Sequence, residues 1–222
     1  MTASNLSEFE SKEMLRKAGV PVVETRLARS KAEAIAISKE LGFPVVLKIA
    51  SPDIIHKSDA DGVKIGLTSG VQVGKAYGEI KSSIKQKFPA ARVEGITVQK
   101  MAEPGIEVII GMSTDPQFGP VLMFGLGGIL VEIIKDVSFR IVPLTRRDAA
   151  EMIKEIKGYK LLTGYRGRPA ADIPALEEMI LKISDFAEKN PQVKELDLNP
   201  VFAYNNGAIV VDARIALEER NR

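Results

Sequence analysis

His56 is the only histidine in a chain of 222 residues. It stands in SPDIIHKSDADGVKIGL, residues 51–67, between an apolar run and a charged loop. Lys57, Lys64, Asp53, Asp59 and Asp61 surround it in sequence. An imidazole with an ordinary pKa near 6.5 is mostly neutral at pH 7. Its free ring nitrogen is then a nucleophile that can carry a phosphoryl group as a labile phosphoramidate. Nearby lysines would stabilise the phosphoryl oxygens, and an aspartate on the other nitrogen would fix the tautomer. The plain alternative is a solvated loop rich in both charges.

A second set is KELDLNP, residues 194–200. In a strand, alternate side chains share a face. Glu195, Asp197 and Asn199 then line one side and Leu196 and Leu198 the other. Asp212 follows on the returning segment. Oxygen donors from two adjacent strands suit Mg²⁺ when phosphate oxygens complete its octahedron. A half-exposed hairpin with a wet polar face accounts for the same pattern.

Lys48 interrupts the apolar run FPVVLKIA. A buried ammonium without a partner is costly, so Lys48 requires a carboxylate or a ligand phosphate, unless it reaches solvent from an edge strand. Glu107 in IEVIIG poses the matching question: it is a ligand contact or a partner for a lysine. FGLGGILVE puts Gly125, Gly127 and Gly128 after a strand, where bare amides could cradle a phosphate. Neither a P-loop nor a dinucleotide fingerprint is present, and an ordinary turn explains the glycines as well.

The elements that must position these residues are legible from capping and periodicity. Ser7 with Glu10 and Ser30 with Glu33 are capping boxes, and Gly19 and Gly42 are the matching stops. FPVVLKIA, GVKIGL, GITVQKM, IEVIIGMS, GPVLMFGLGG and SFRIVPL read as strands. VQVGKAYGEIKSSIKQKF reads as a helix, a further one starts at Thr145 with Asp148, and IPALEEMILKISDFAEKN is strongly amphipathic. KELDLNPVFAY, NNG and AIVVDARI read as strand, tight turn and strand. The expected class is α+β (mixed α/β), with a hinge near KMAEPG, residues 100–105.

The composition narrows the function classes. Hydrophobic residues make up 45% and charged residues 27%, with a net charge of +2, as expected of a soluble globular chain with no overall field for nucleic acid or membrane. No cysteine is present, which removes disulfides, thiolate metal sites and a cysteine nucleophile. No apolar run is long enough to span a bilayer, and the polar start lacks a signal-peptide core. A cytoplasmic location is expected.

Taken together, the stretch from SEFESKEMLRKAG to GVKIGL, then GITVQKM, GIEVIIGMSTDPQFGPVLMFGLGGILVEIIKDVSFRIVPL and ELDLNPVF, resembles the β subunits of ADP-forming acetyl-CoA synthetases. These are the ATP-grasp subunits of NDP-forming acyl-CoA synthetases, relatives of succinyl-CoA synthetase. The likeness spans nearly the whole chain. It implies a single ATP-grasp unit over 1–222, with approximate lobes 20–100 and 101–222, an N-terminal helix 7–18, and the nucleotide between the two sheets. Lys48, Lys57, Gln99, Lys100, Met101, Ala102 and Glu107 would meet ADP or ATP, the backbone near 100–102 contacting adenine. Gly127 and Gly128 would form a phosphate loop. Asn199 and Asp212 would hold Mg²⁺, with Asp197 on the metal or facing the histidine. His56 would be a transient phosphohistidine on a loop able to swing between two centres, and Asp197 its catalytic companion. A CoA-binding α subunit would complete the enzyme as an α2β2 heterotetramer. No Gly-rich Rossmann segment flanks these motifs, so that part is expected on a separate polypeptide.

The expected reaction is acyl-CoA, ADP and phosphate to acid, CoA and ATP, with acetate the leading acid. Two alternatives stand beside it. One is a self-contained ATP-grasp carboxylate–amine ligase, in which His56 has no essential role. The other is a non-catalytic nucleotide-binding subunit. One departure from the family pattern stands out: ADGV carries Asp61 where a glycine is expected, which puts the loop conformation in question. GYRGRPAAD, residues 164–172, has no assigned role, and Arg166 and Arg168 could meet a partner or a phosphate.

Overall fold

A computed structural model describes residues 3–54, 57–128, 136–167 and 169–218. His56 and Arg168 lie outside them. The chain divides into two compact units: Leu6–Glu10 with Val23–Glu103, and Met1–Asn5 with Ser11–Val22 and Pro104–Arg222. The division falls inside helix α1 (Glu8–Lys17) and again after Glu103.

The smaller unit is built on a four-stranded antiparallel sheet. Its order is β2 (Thr25–Ala28), β5 (Gly95–Lys100), β3 (Val45–Ala50), β4 (Val63–Leu67). Helices α2 (Lys31–Leu41) and α3 (Gly70–Lys87) start where Ser30 and Ser69 cap the backbone N–H groups of Glu33 and Gln72. Each such cap is worth about 1 kcal/mol. Val45, Leu47 and Ile49 of β3 and Ile96 and Val98 of β5 join Ile37, Val73, Ile80 and Ile84 of the helices in one buried cluster. By strand alternation, Lys48, Thr97 and Gln99 occupy the other face of the sheet. All three are buried.

The larger unit holds a seven-stranded sheet in the order β1 (Ala3–Asn5), β11 (Ala213–Glu218), β9 (Val193–Tyr204), β6 (Ile106–Asp115), β7 (Gly119–Leu126), β8 (Val137–Ile141). β10 (Gly207–Val210) also pairs with β9. Helix α4 (Arg146–Glu155) opens on the Thr145–Asp148 capping box. A single turn, α5 (Tyr159–Leu162), follows, and then α6 (Ile173–Lys189). The long helices contact β7, β8 and β10. Leu122, Phe124, Leu196 and Leu198 are buried, whereas Glu195, Asp197 and Asn199 are exposed, as the alternation of β9 requires.

The sheet ladders are antiparallel, so the chain is α+β rather than doubly wound. In one respect the sequence reading was too simple. AIVVDARI is two strands, β10 and β11, interrupted at Val211–Asp212. The cause sits across the ladder. Val210 faces Val201 and Ala213 faces Leu198 in an unbroken register, which puts the gap opposite Asn199–Pro200. Val211 donates to the Pro200 carbonyl at 3.0 Å, but proline has no N–H to return the bond. β1 and β2 were not anticipated; they are three and four residues long. No described helix is long and apolar enough to cross a membrane.

Candidate functional site

In the smaller unit, Lys48 lies in an inner strand and is 6% exposed, which removes the edge-strand reading. Its anion is Glu8, in the first turn of α1. The Lys48 ammonium donates to Glu8 Oε1 at 2.8 Å. Lys57 pairs with the other oxygen, Oε2, at 2.8 Å. One buried carboxylate therefore serves two lysines. Removing one member of such a buried set costs about 3–5 kcal/mol, because a charge is left uncompensated.

Lys57 follows His56 directly in sequence, and described residues before and after the histidine make fixed contacts. Before the histidine, Asp53 accepts from the Arg92 backbone N–H at 2.7 Å and from its guanidinium at 2.7 Å. These bonds hold its carboxyl down at about 2. After the histidine come the Lys57–Glu8 pair and then Asp61. Asp61 has φ 53, in the left-handed region that a glycine would favour, and asparagine and aspartate tolerate that region better than other side chains. Its carboxylate takes a 2.6 Å bond from Lys87 and one from Ser83 on α3. The hydrogen bond from Lys87 is the main reason its pKa is lowered. The departure from the family pattern is thus absorbed: the backbone keeps a glycine-like turn and the acid is committed to α3. The next residue has no such latitude. A Cβ on Gly62 would stand 2.6 Å from Ile49 Cγ2 and 3.0 Å from the Lys57 carbonyl.

Gln99 is buried, Lys100 exposed, and Met101 and Ala102 half-buried. The N–H groups of Lys100 and Met101 donate to the Glu24 and Pro44 carbonyls. Any adenine edge there would meet carbonyls or the Ala102 N–H.

In the larger unit, the shared register sets Asp212 opposite Asn199. Asp197 faces Arg214 on one side and Gly111 on the other. A cavity of about 250 Å³ opens on this face, lined by Gly111, Met123, Phe139, Glu195, Asp197 and Arg214 among others. Although Asp197 is exposed as a residue, the protein packed around its carboxyl desolvates it and pushes it above its ordinary pKa; Arg214 opposes this, and the like charge of Asp212 adds to it. Among the described residues no group of three or more His, Cys, Asp or Glu side chains could hold a metal ion by itself. Two carboxylates and an amide remain, a set that fits Mg²⁺ when ligand phosphates supply other oxygens.

Glu107 is exposed and makes no ion pair among the described residues; the carboxylate on Lys48 is Glu8's. Glu107 is instead seated against the glycines after β7. Gly127 donates to its carbonyl at 2.8 Å. A Cβ on Gly128, which has φ 66, would lie 2.9 Å from its Oε2. Gly127 and Gly128 therefore have a packing role of their own. Arg166 stacks on the Tyr165 ring at 5.3 Å, with Lys160 also near it at 5.8 Å.

The ATP-grasp domain family matches residues 2–217. The chain belongs to that family. Among ATP-grasp relatives it is 50% identical, over 212 residues, to the acetate–CoA ligase [ADP-forming] I subunit beta of Pyrococcus furiosus, covering 96% of this chain and 91% of that one. A solved structure of the Ca. Korarchaeum cryptofilum dinucleotide forming acetyl-coenzyme A synthetase 1, in complex with coenzyme A, Ca-AMPCP and HgCl⁺, is 52% identical. It matches with a TM-score of 0.94, covering 97% of this chain and 94% of that one. A second structure of that enzyme holds coenzyme A and Mg-AMPPCP, with a phosphohistidine segment pointing towards the nucleotide binding site. Its identity is 49% and its TM-score 0.85, covering 97% of this chain and 93% of that one. The expected ATP-grasp fold and the expected subunit family are both borne out.

Sequence reasoning missed two members of this arrangement. Lys48's need for an anion was legible, but Glu8, 40 residues away, gave no local signal. Arg214 was readable in principle, because it stands two residues after Asp212 and strand alternation puts both on one face.

Proposed function

We propose that this chain is the nucleotide-binding subunit of an ADP-forming acyl-CoA ligase, with acetate the leading acid, working with a separate CoA-binding α subunit in an α2β2 assembly. The observation that carries this is the pair of lysines, Lys48 and Lys57, held on one buried carboxylate, with Lys57 immediately after the chain's sole histidine in sequence. His56 takes a phosphoryl group originating at the partner and passes it to ADP. The N–P bond breaks as the β-phosphate oxygen forms the new P–O bond, and the neutral imidazole is regenerated. Lys48 and Lys57 bind the phosphate oxygens, and their fixed charges need no reorganisation during transfer. The 100–102 backbone receives adenine. Asp212, Asn199 and Asp197 would hold Mg²⁺, which supplies charge neutralisation on the phosphates. Glu107 is a further nucleotide contact, seated by Gly127 and Gly128. A cytoplasmic setting accords with CoA and nucleotide substrates.

The test separates subunit from stand-alone enzyme. The chain alone binds Mg-ADP calorimetrically and makes no ATP; ATP forms from acetyl-CoA, ADP and phosphate only once the CoA-binding partner is added. Lys48→Met weakens ADP binding at least about tenfold, the scale of one charge-assisted hydrogen bond. Turnover by the chain alone, with an amine and a carboxylate, would install the self-contained ligase instead.

A further inference from the structure

Glu8 has no part in the roles assigned above, yet it is the most completely buried acid of the smaller unit's polar sheet face. Its two oxygens take one lysine each, Lys48 from β3 and Lys57 from the segment after His56, both at 2.8 Å. The three side chains are 2%, 8% and 15% exposed respectively. An ammonium carries three donors, so one contact with Glu8 does not by itself saturate either lysine. A capping role does not explain Glu8: the box at the start of α1 is made by Ser7 and Glu10. Two ammoniums brought together without a shared anion would repel each other, and long lysine stems would move apart at little cost.

We infer that Glu8 is a positioning residue for nucleotide binding. It yokes Lys48 and Lys57 into a two-pronged phosphate clamp and, through Lys57, sets where the histidine-bearing segment begins its return to the sheet. This rests on the nucleotide-subunit reading above. Both oxygens are needed. A glutamine offers one acceptor oxygen, and its amide N–H₂ would confront the second ammonium. An aspartate is one methylene short and reaches one lysine at a time.

Calorimetric titration of Mg-ADP into the full chain tests this with wild type, Glu8→Gln, Glu8→Asp, Lys57→Met and the Glu8→Gln/Lys57→Met pair. Glu8→Gln is expected to weaken ADP binding at least tenfold while keeping a cooperative thermal transition, with Glu8→Asp intermediate. Once Glu8 is changed, Lys57→Met should cost no more than about twofold further, because Lys57 is no longer held. A purely structural Glu8 would give multiplying losses. Should Glu8→Gln lose its cooperative transition, the same cycle run with Glu8→Asp decides the matter. Wild-type affinity in Glu8→Gln, tighter binding, or multiplying losses would overturn the inference and leave the nucleotide reading standing. A wild type that binds no ADP would remove both.

Discussion

Replacing His56 with alanine lowers ATP formation in the reconstituted enzyme by at least about a thousandfold, the usual scale for loss of a covalent nucleophile, while ADP affinity changes less than about twofold. The reason is positional. His56 immediately precedes Lys57, and Lys57 is tied to the buried Glu8 that also holds Lys48. The segment is further pinned by Asp53 to Arg92 and by Asp61 to Lys87. On the proposed reading, the lysines bind phosphate, and the sequence position next to Lys57 assigns the phosphoryl relay to His56. No second imidazole exists to substitute for it. The measurement is a coupled assay of ATP produced from acetyl-CoA, ADP and phosphate, together with calorimetric ADP binding. The proposed nucleotide contacts do not include the imidazole, so the two readouts should separate cleanly. Loss of both would mean that the substitution had disturbed the lysines instead.

The second large effect is at Asp197. Asp197→Asn is expected to cut ATP formation by about a hundredfold or more, the scale of losing one preorganised electrostatic group, yet to raise the melting temperature of the nucleotide-free chain. Desolvation by the surrounding protein raises the carboxyl's pKa and the charge of Asp212 adds to it, with Arg214 only partly compensating. A carboxyl whose folded pKa lies above its unfolded value holds its proton more tightly when folded. Folding therefore loses stability as pH rises from the ordinary carboxylate range through the folded value. Asparagine has no such dependence, so the melting-temperature difference between variant and wild type should widen from about pH 3 to pH 7. Adding Mg-ADP should narrow it, because bound charge relieves the wild type. A variant less stable than wild type at neutral pH would contradict this account of the site. The predicted opposition of activity and stability is the pattern expected of an active-site charge.

How much of this was written in the sequence depends on the range of the interaction that fixes each feature. The helices were legible because their signals are local: Ser30 with Glu33 and Thr145 with Asp148 cap their own first turns. The polar face of β9 was legible because strand alternation is obligatory, and Glu195, Asp197 and Asn199 are exposed between buried leucines. That Asp212 returns beside β9 was legible from the hairpin; that it stands opposite Asn199 comes from the register. The break between β10 and β11 did not, although Pro200 was in plain view; its effect is on the strand opposite. Glu8 was illegible for a similar reason. A buried lysine announces that it needs an anion, not which of the chain's 29 acidic residues supplies it. Asp61 shows the converse. A residue unexpected at its position keeps the turn, because aspartate tolerates positive φ and Lys87 and Ser83 take its charge.

Intact-protein mass spectrometry tests the central claim most directly. The chain is mixed with its CoA-binding partner, acetyl-CoA and phosphate, without ADP, and spectra are taken at neutral to mildly alkaline pH for wild type and His56→Ala. The account requires one phosphoryl group on the wild-type chain, labile to acid, lost on adding Mg-ADP with ATP formed in equal amount, and absent from His56→Ala. A wild type that never gains the group, together with an alanine variant that still makes ATP, would contradict it.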